Sequence, residues 1–399
     1  MTVALPDVES LLAAIAVLFL GIAANRSIPL LSNYNIPDPI TGGVLFAIVA
    51  AAVAYLWNAS ISLDVSSKPI LLLLFFASVG MTANLRLLAK GGAKLAIFLA
   101  GVCIPFVILQ NIVGISAALG LDLHPIFGLV AGSITLVGGH GTGAAYAERF
   151  AEVNNLQAVM ELTMTAATLG LIAGGVVGGP VAQWLIRRYA LEPSAKAGAG
   201  EAEKQAAEAP LSTQTVLMSL GGLLVAVVLG RRVSDMIGEG IITLPSFVWC
   251  LFIGVVLRNG GPFLGVNFDD RASGMIGSIA LSLFLAMTMM AIKLSDVFNA
   301  AGPLVIILLV QLSFTVAWAR LVAFRLLGRD YESAVMAAGF CGFVLGSSAT
   351  AIANMQAVIR RYGPAPQAML VVPLTGAFFI DLVNAIVLSG LLSLSILGG

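Results

Sequence analysis

The segment VGGHGTGAAYAERF, residues 137–150, gathers glycine, histidine and threonine in the middle of a very apolar chain. Glycine lets a backbone approach a ligand closely, and the first turn of a helix leaves N–H groups without intrahelical partners. Such N–H groups and the helix dipole together favour a bound anion. Small residues also allow close helix packing, which is the alternative interpretation. The segment predicts a site for an anionic group at Gly138, Gly139, His140, Gly141 and Thr142.

A second segment of similar character, GSSATAIANM, occupies residues 346–355. Its hydroxyl and amide side chains can donate hydrogen bonds to a carboxylate. Two helix N-termini that face each other would match a substrate with two carboxylates, because both ends carry partial positive charge. We therefore expect the substrate to contact Ser347, Ser348, Thr350 and Asn354 as well.

Acids inside apolar segments form the third candidate group, because they are costly in a membrane and usually functional. Asp381 lies near the middle of its segment, and Asn384 follows one turn later on the same helix face. These two residues and Asn354 predict a cation site, and Asp381 is also a candidate partner for a substrate ammonium group. Glu161 begins a polar stripe that continues to Thr168 and is a further candidate for substrate contact. A purely structural Asp381 and an interfacial Glu161 are the alternatives.

The composition around these segments defines the class of protein. Hydrophobic residues make up 59% of the 399 residues and charged residues only 10%, against about 25% in a soluble domain. The chain is therefore expected to be an all-α integral membrane protein. Its formal net charge of zero gives no sign of a nucleic-acid partner. No Walker loop, zinc-spaced His/Cys set or nucleophile elbow occurs, so the sequence predicts neither an enzyme nor a transporter driven by ATP within this chain.

Ten segments are long and apolar enough for a membrane span of about 20 residues. They lie at about 8–25, 38–57, 69–88, 92–119, 156–186, 212–230, 241–258, 274–293, 300–327 and 366–396. Two further apolar segments, 125–147 and 333–359, are interrupted by glycine. These two contain the GGHGTG and GSSATAIANM motifs.

The two halves of the chain resemble each other. LFFASVGMTANL aligns with LFLAMTMMAIKL, GGHGTGA with GSSATAI, and QAVMELTMTAA with QAMLVVPLTGA, all at nearly the same spacing. Internal repeats of this kind are common in membrane transporters. We predict a first repeat over residues 1–190 and a second over 213–399, joined by a polar cytoplasmic linker at 191–212.

Basic residues predict how the glycine segments sit in the membrane. If both dip in and return, ten crossings remain, and three quarters of the 20 Lys and Arg residues fall on the cytoplasmic side. If both cross, the two sides hold equal numbers and no orientation signal is left. The sequence thus predicts two inverted repeats of five transmembrane helices, each with a re-entrant hairpin, and both termini periplasmic. The re-entrant tips would enter from opposite sides and meet near the midplane.

The motifs SITLVGGHGTG, IPDPITGGV, LSLFLAM, TAIANMQAV and VVPLTGAFFIDLVNAIV resemble those of the bacterial sodium/glutamate symporters. The likeness extends over nearly the whole chain outside the linker. It implies sodium-driven uptake of L-glutamate across the inner membrane, a homodimer, and an elevator-like movement of one domain. The second motif departs from the family pattern at Phe340, where a histidine is usual, and at residues 347–349.

Two other functions are open at the level of sequence. A sodium-coupled transporter of a di- or tricarboxylate hydroxy acid would not need Asp381 or Glu161 as a partner for an ammonium group. A channel would use the glycine tips as selectivity filters, but an inverted repeat fits alternating access better than the symmetric oligomers typical of channels. Sodium-coupled uptake of L-glutamate, with Na⁺ as the coupling ion, is the predicted function.

Overall fold

The structure is a computed structural model that describes residues 2–29, 36–57, 59–85, 92–153, 159–193, 211–237, 245–291 and 294–393. Residues 194–210 of the predicted linker at 191–212 lie outside these ranges. In chain order the helices are α1 (Asp7–Ser27), α2 (Asp38–Trp57), α3 (Lys68–Met81), α4 (Gly92–Gly120), α5 (Pro125–Ile134), α6 (Gly139–Val153), α7 (Val159–Tyr189), α8 (Thr213–Ile237), α9 (Ser246–Gly260), α10 (Asp270–Met290), α11 (Leu294–Trp318), α12 (Tyr331–Leu345), α13 (Ser348–Tyr362), α14 (Pro366–Leu374) and α15 (Ile380–Leu392).

Several helices contain or join wider turns. A π-helical turn occupies Ile97–Cys103 in α4 and another occupies Val130–Ile134 at the end of α5. Similar turns at Ala319–Ala323 and Thr375–Phe379 extend α11 and join α14 to α15. A 3₁₀ turn at Gly261–Leu264 follows α9. Such turns leave backbone carbonyls out of the regular α-helical pattern and are frequent at functional positions.

A two-stranded sheet is the one exception to the helical class in the described part of the chain. Strand β1 (Thr2–Leu5) pairs in parallel with β2 (Ser60–Leu63), so that Thr2 lies opposite Ser60. The sequence does not predict this pair, because each strand has only four residues and gives no clear alternating pattern. With that exception, the predicted helical membrane protein is confirmed.

Eight helices within the described ranges are long and apolar enough to cross a membrane. Of the ten predicted spans, the segment at 69–88 contains the shorter α3, which has 14 residues. The segment at 366–396 is divided by the π turn between α14 and α15. The predicted number of ten crossings and the inverted repeats therefore stay predictions.

The chain divides into two compact units, each built from segments of both halves of the sequence. Unit 1 comprises Met1–Ala83, Ala144–Leu162 and Thr213–Ala301, and unit 2 comprises Asn84–Gly143, Thr163–Ser212 and Gly302–Gly399. In unit 1, α3 packs against α9 and α10, and the rings of Phe76 and Phe247 lie 4.5 Å apart. An ion pair between Lys68 Nζ and Glu148 Oε1, at 2.7 Å, ties α3 to α6 within this unit.

Unit 2 has a core rich in aromatic side chains. The ring of Phe340 on α12 meets that of Phe106 on α4 edge to face at 4.9 Å, and Phe98 meets Phe343 at 5.9 Å. Helices α12 and α13 form a tight hairpin, because a Cβ added at Gly342 would lie 2.6 Å from the Cα of Ala351. Only glycine permits that separation, which fixes the turn between the two helices.

Candidate functional site

The first glycine motif forms a turn between α5 and the first residues of α6, a part of the chain that belongs to unit 2. Helix α5 ends at Ile134 and α6 begins at Gly139. Gly139 has a φ of +64°, in the left-handed region that favours glycine. The first backbone N–H groups of α6, from Gly139 to Thr142, therefore lie at a helix N-terminus, as the sequence predicts. We call this turn the first tip.

The second motif forms a similar turn between α12 and α13, which we call the second tip. Helix α12 ends at Leu345, Gly346 follows, and Ser347 is the N-cap of α13. The Ser347 hydroxyl accepts a hydrogen bond from the Thr350 N–H at 3.2 Å and lies 3.0 Å from Thr350 Oγ1. Ser347 thus already satisfies one of the N–H groups that the sequence analysis assigned to substrate.

The two tips lie next to each other in unit 2. A Cβ built on Gly139 would stand 3.9 Å from the carbonyl oxygen of Gly346. Two helix N-termini, those of α6 and α13, are therefore brought to the same region of the unit. Because both ends carry partial positive charge, the arrangement favours anionic groups between or beside them.

The side chain of His140 is held by a hydrogen bond to α7. Its Nε2 lies 3.1 Å from Thr168 Oγ1 on α7, and the Thr168 hydroxyl donates its hydrogen to the Met164 carbonyl at 2.9 Å. Since that hydroxyl has only one hydrogen, both hydrogen bonds form together only when it accepts from His140, and we therefore assign the proton to Nε2. Nδ1 of His140 is then an acceptor. His140 and Thr142 are both 9% exposed.

Two other predicted site residues hold helices together. The Ser348 hydroxyl donates to the Gly376 carbonyl, in the π turn between α14 and α15. Asn354 Nδ2 donates to the Gly174 carbonyl on α7 at 2.8 Å and to the Ala338 carbonyl on α12 at 3.4 Å. Both side chains therefore position the second tip.

The acids are placed in different surroundings. Asp381 lies in the first turn of α15 and is partly exposed, whereas Asn384, one turn further, is 1% exposed and donates from Nδ2 to the Ser133 carbonyl at 3.0 Å. Glu161 belongs to unit 1, lies in the first turn of α7 and is 8% exposed. Among the described residues no group of three or more His, Cys, Asp or Glu side chains is placed to hold a metal ion.

Phe340 is fully buried in the aromatic core of unit 2 and packs on Phe106. The structure also reveals polar residues that the sequence analysis did not select. Gln110 and Asn111 in the middle of α4 and Gln311 in α11 are completely buried. In the sequence these three residues stand out only as amides inside apolar segments.

These observations describe a multi-pass helical membrane protein with two glycine turns side by side in one compact unit. The chain belongs to the sodium/glutamate symporter family, a family of transporters, whose model matches residues 3–364. It is 39% identical over 400 residues to the sodium/glutamate symporter of Escherichia coli K12, with 99% of each chain covered. It is 38% identical over 386 residues to that of Haemophilus influenzae, with 95% of each chain covered.

Among solved structures, the sodium proton antiporter MjNhaP1 from Methanocaldococcus jannaschii aligns with 98% of this chain and 100% of its own length. The identity is 14% and the TM-score 0.25. That overlap is too low to support a conclusion about the fold.

Proposed function

We propose that this chain is a secondary active transporter that couples inward sodium flow to the uptake of L-glutamate across the inner membrane. Membership of the sodium/glutamate symporter family supports the substrate and the ion. The observation that carries the assignment to a site is the proximity of the two tips, with Gly139 beside the Gly346 carbonyl. Glutamate has two carboxylates, and two helix N-termini offer one positive end for each.

Different residues of unit 2 can bind different groups of such a substrate. One carboxylate would bind at the first tip, to the backbone N–H groups from Gly139 to Thr142. The second tip would bind the other carboxylate through the N-terminus of α13 at Ser348. The substrate ammonium group needs acceptors, and His140 Nδ1 and the Asp381 carboxylate are acceptors in the same unit.

The proposal extends to the architecture of the membrane domain. Helices α12 and α13 have 15 residues each, or about 22 Å at 1.5 Å per residue, which is short of a hydrocarbon core of about 30 Å. That length supports re-entrant hairpins at 125–147 and 333–359 within ten spans and two inverted repeats. Both tips lie in unit 2, which is therefore the candidate moving domain of an elevator. A homodimer and periplasmic termini complete the proposal.

Accumulation of labelled glutamate by purified protein in liposomes tests this function. We expect accumulation with an inward sodium gradient and little without it, and competition by unlabelled glutamate. Equal uptake with and without the gradient would contradict sodium coupling. Saturable uptake of citrate but not glutamate would instead support a transporter of di- or tricarboxylates. The variant Asp381→Asn separates the two substrates further, because only an amino acid presents an ammonium group to that carboxylate.

A further inference from the structure

Unit 2 contains a second set of buried polar side chains, which belong to neither tip. It consists of amides and one hydroxyl, and none of its members is more than 1% exposed. We call it the amide cluster, and its members are Gln110 and Asn111 on α4, Ser133 on α5, Gln311 on α11 and Asn384 on α15.

Hydrogen bonds join these residues in two groups, and the adjacent positions of Gln110 and Asn111 on α4 connect the groups into one network. Asn111 and Ser133 exchange two bonds, from Asn111 Nδ2 to Ser133 Oγ at 2.7 Å and from the Ser133 N–H to Asn111 Oδ1 at 3.2 Å. Gln311 Nε2 donates to the Gln110 carbonyl at 2.9 Å, and Asn384 Nδ2 donates to the Ser133 carbonyl at 3.0 Å. Four helices of the unit therefore meet at this network.

Three amide oxygens of the network receive no hydrogen bond from the described residues: Gln110 Oε1, Gln311 Oε1 and Asn384 Oδ1. The orientation of these three amides is fixed, because each amide nitrogen donates to a backbone carbonyl. Gln110 Nε2 donates to the Val344 carbonyl at 3.2 Å. Exchanging oxygen and nitrogen would set oxygen against oxygen. A buried amide oxygen without a donor costs about 1–3 kcal/mol, so three in one network indicate a bound group that satisfies them, either a hydrogen-bond donor or a cation.

The chemistry of the cluster points to a monovalent cation. Oxygen atoms are ligands for hard cations, and the cluster contains no carboxylate to balance a second charge. The backbone beside it is irregular, since Gly132 within the π turn of α5 departs from helical geometry at φ −102° and ψ −136°. A Cβ on Gly132 would lie 3.0 Å from Asn111 Oδ1 and 3.6 Å from Gln311 Nε2. Broken helices commonly coordinate the coupling ion in transporters.

We propose that the amide cluster binds Na⁺ through the side-chain oxygens of Gln110, Gln311 and Asn384. This inference rests on the proposed sodium coupling and locates its ion at neutral amides. Asp381 forms no hydrogen bond to the cluster within the described residues. Ser133 lies only a few residues before the first tip, so an ion held at the break in α5 would order that tip. Sodium and glutamate would then each raise the affinity for the other.

The test compares sodium responses of variants in two assays. One is the melting temperature of the purified protein without glutamate, titrated with NaCl while choline chloride keeps the ionic strength constant. The other is the sodium concentration that gives half-maximal glutamate uptake in liposomes. Gln311→Leu and Asn384→Leu each remove one proposed ligand, and we expect the required sodium concentration to rise about tenfold or more in both assays.

Two controls distinguish loss of a ligand from general damage. Thr315→Val removes a buried hydroxyl that donates to the Gln311 carbonyl but leaves every amide oxygen, and Gln214→Leu makes the same chemical change at an exposed position. Both should keep the sodium titration of the parent. Gln311→Glu keeps a side-chain oxygen and should retain a sodium response if Gln311→Leu fails to fold.

Unchanged sodium titrations in Gln311→Leu and Asn384→Leu would overturn the inference. So would a sodium response that Thr315→Val weakens as strongly as Gln311→Leu does. If the parent protein shows a sodium-dependent melting temperature but no sodium-driven glutamate uptake, the proposed function fails while the cation site stands.

Discussion

Replacement of Gly139 by alanine tests whether the first tip binds substrate. Gly139 has a φ of +64°, and alanine in that conformation costs about 1–2 kcal/mol of backbone strain. The new methyl group meets nothing closer than the Gly346 carbonyl oxygen at 3.9 Å, which is an ordinary contact. We therefore expect Gly139→Ala to fold with a modest loss of stability. The methyl group would occupy the space between the tips, where the substrate carboxylate approaches the N–H groups.

Gly265 provides a matched control for the strain. It ends the 3₁₀ turn after α9 with a φ of +73°, and a Cβ there would meet nothing within 4 Å. Gly139→Ala and Gly265→Ala should therefore lower the melting temperature to a similar extent. Only Gly139→Ala should reduce the kcat/KM of glutamate uptake, by about tenfold or more, since a single misplaced methyl group in a binding site costs about 1–3 kcal/mol.

The initial rate of labelled glutamate uptake, measured against glutamate concentration in liposomes with equal amounts of inserted protein, gives this comparison. If the two variants reduced kcat/KM equally, backbone strain would explain both effects. An unchanged kcat/KM in Gly139→Ala would show that no substrate group lies against the first tip. Either result would refute the assignment of Gly139.

Three further variants test the supports of the site. Thr168→Val should lower glutamate affinity because it removes the acceptor that sets the His140 tautomer, and Thr168→Ser should restore it in the same uptake assay. Asn354→Ala should cost about 1–3 kcal/mol of unfolding free energy, because it removes the two hydrogen bonds that Asn354 Nδ2 donates to neighbouring helices; a melting temperature equal to the parent's would contradict this. Burial raises the pKa of Asp330, but hydrogen bonds from Ser333 and the pairing with Lys94 outweigh it, so its pKa lies below the ordinary value. The stabilisation that ionised Asp330 gives the folded protein is therefore complete above the ordinary pKa and is lost only as pH falls through the lower folded pKa. Asp330→Ala should lower the melting temperature equally at pH 8 and pH 5. A difference from the parent that is smaller at pH 5 would contradict this.

The sequence predicted the helices and the two tips because both depend on local chemistry. Apolar runs of span length specify helices, and a glycine-rich segment inside such a run specifies a turn with a new helix N-terminus. The turn at Gly139 and the N-cap at Ser347 are direct consequences of those residue types. The proximity of Gly139 to Gly346 was anticipated from the repeat, although the inverted topology itself is still a proposal.

The roles of individual polar side chains could not be predicted in the same way. Ser348 and Asn354 are chemically suited to a carboxylate, yet their donors reach backbone carbonyls of neighbouring helices. Which of these uses occurs depends on contacts between segments distant in sequence. The roles of the buried amides at Gln110 and Gln311 are unpredictable for the same reason, since an isolated amide in a span gives no sign of the hydrogen bonds it forms.

Glutamate and sodium are expected to bind to this chain as coupled ligands. Calorimetric titration of the purified protein with L-glutamate, in NaCl and in choline chloride of equal ionic strength, tests that claim most directly. We predict that sodium raises glutamate affinity and that glutamate raises sodium affinity by the same factor, as linkage requires. Equal glutamate affinity in the two salts, or no binding of glutamate in either, would contradict the account.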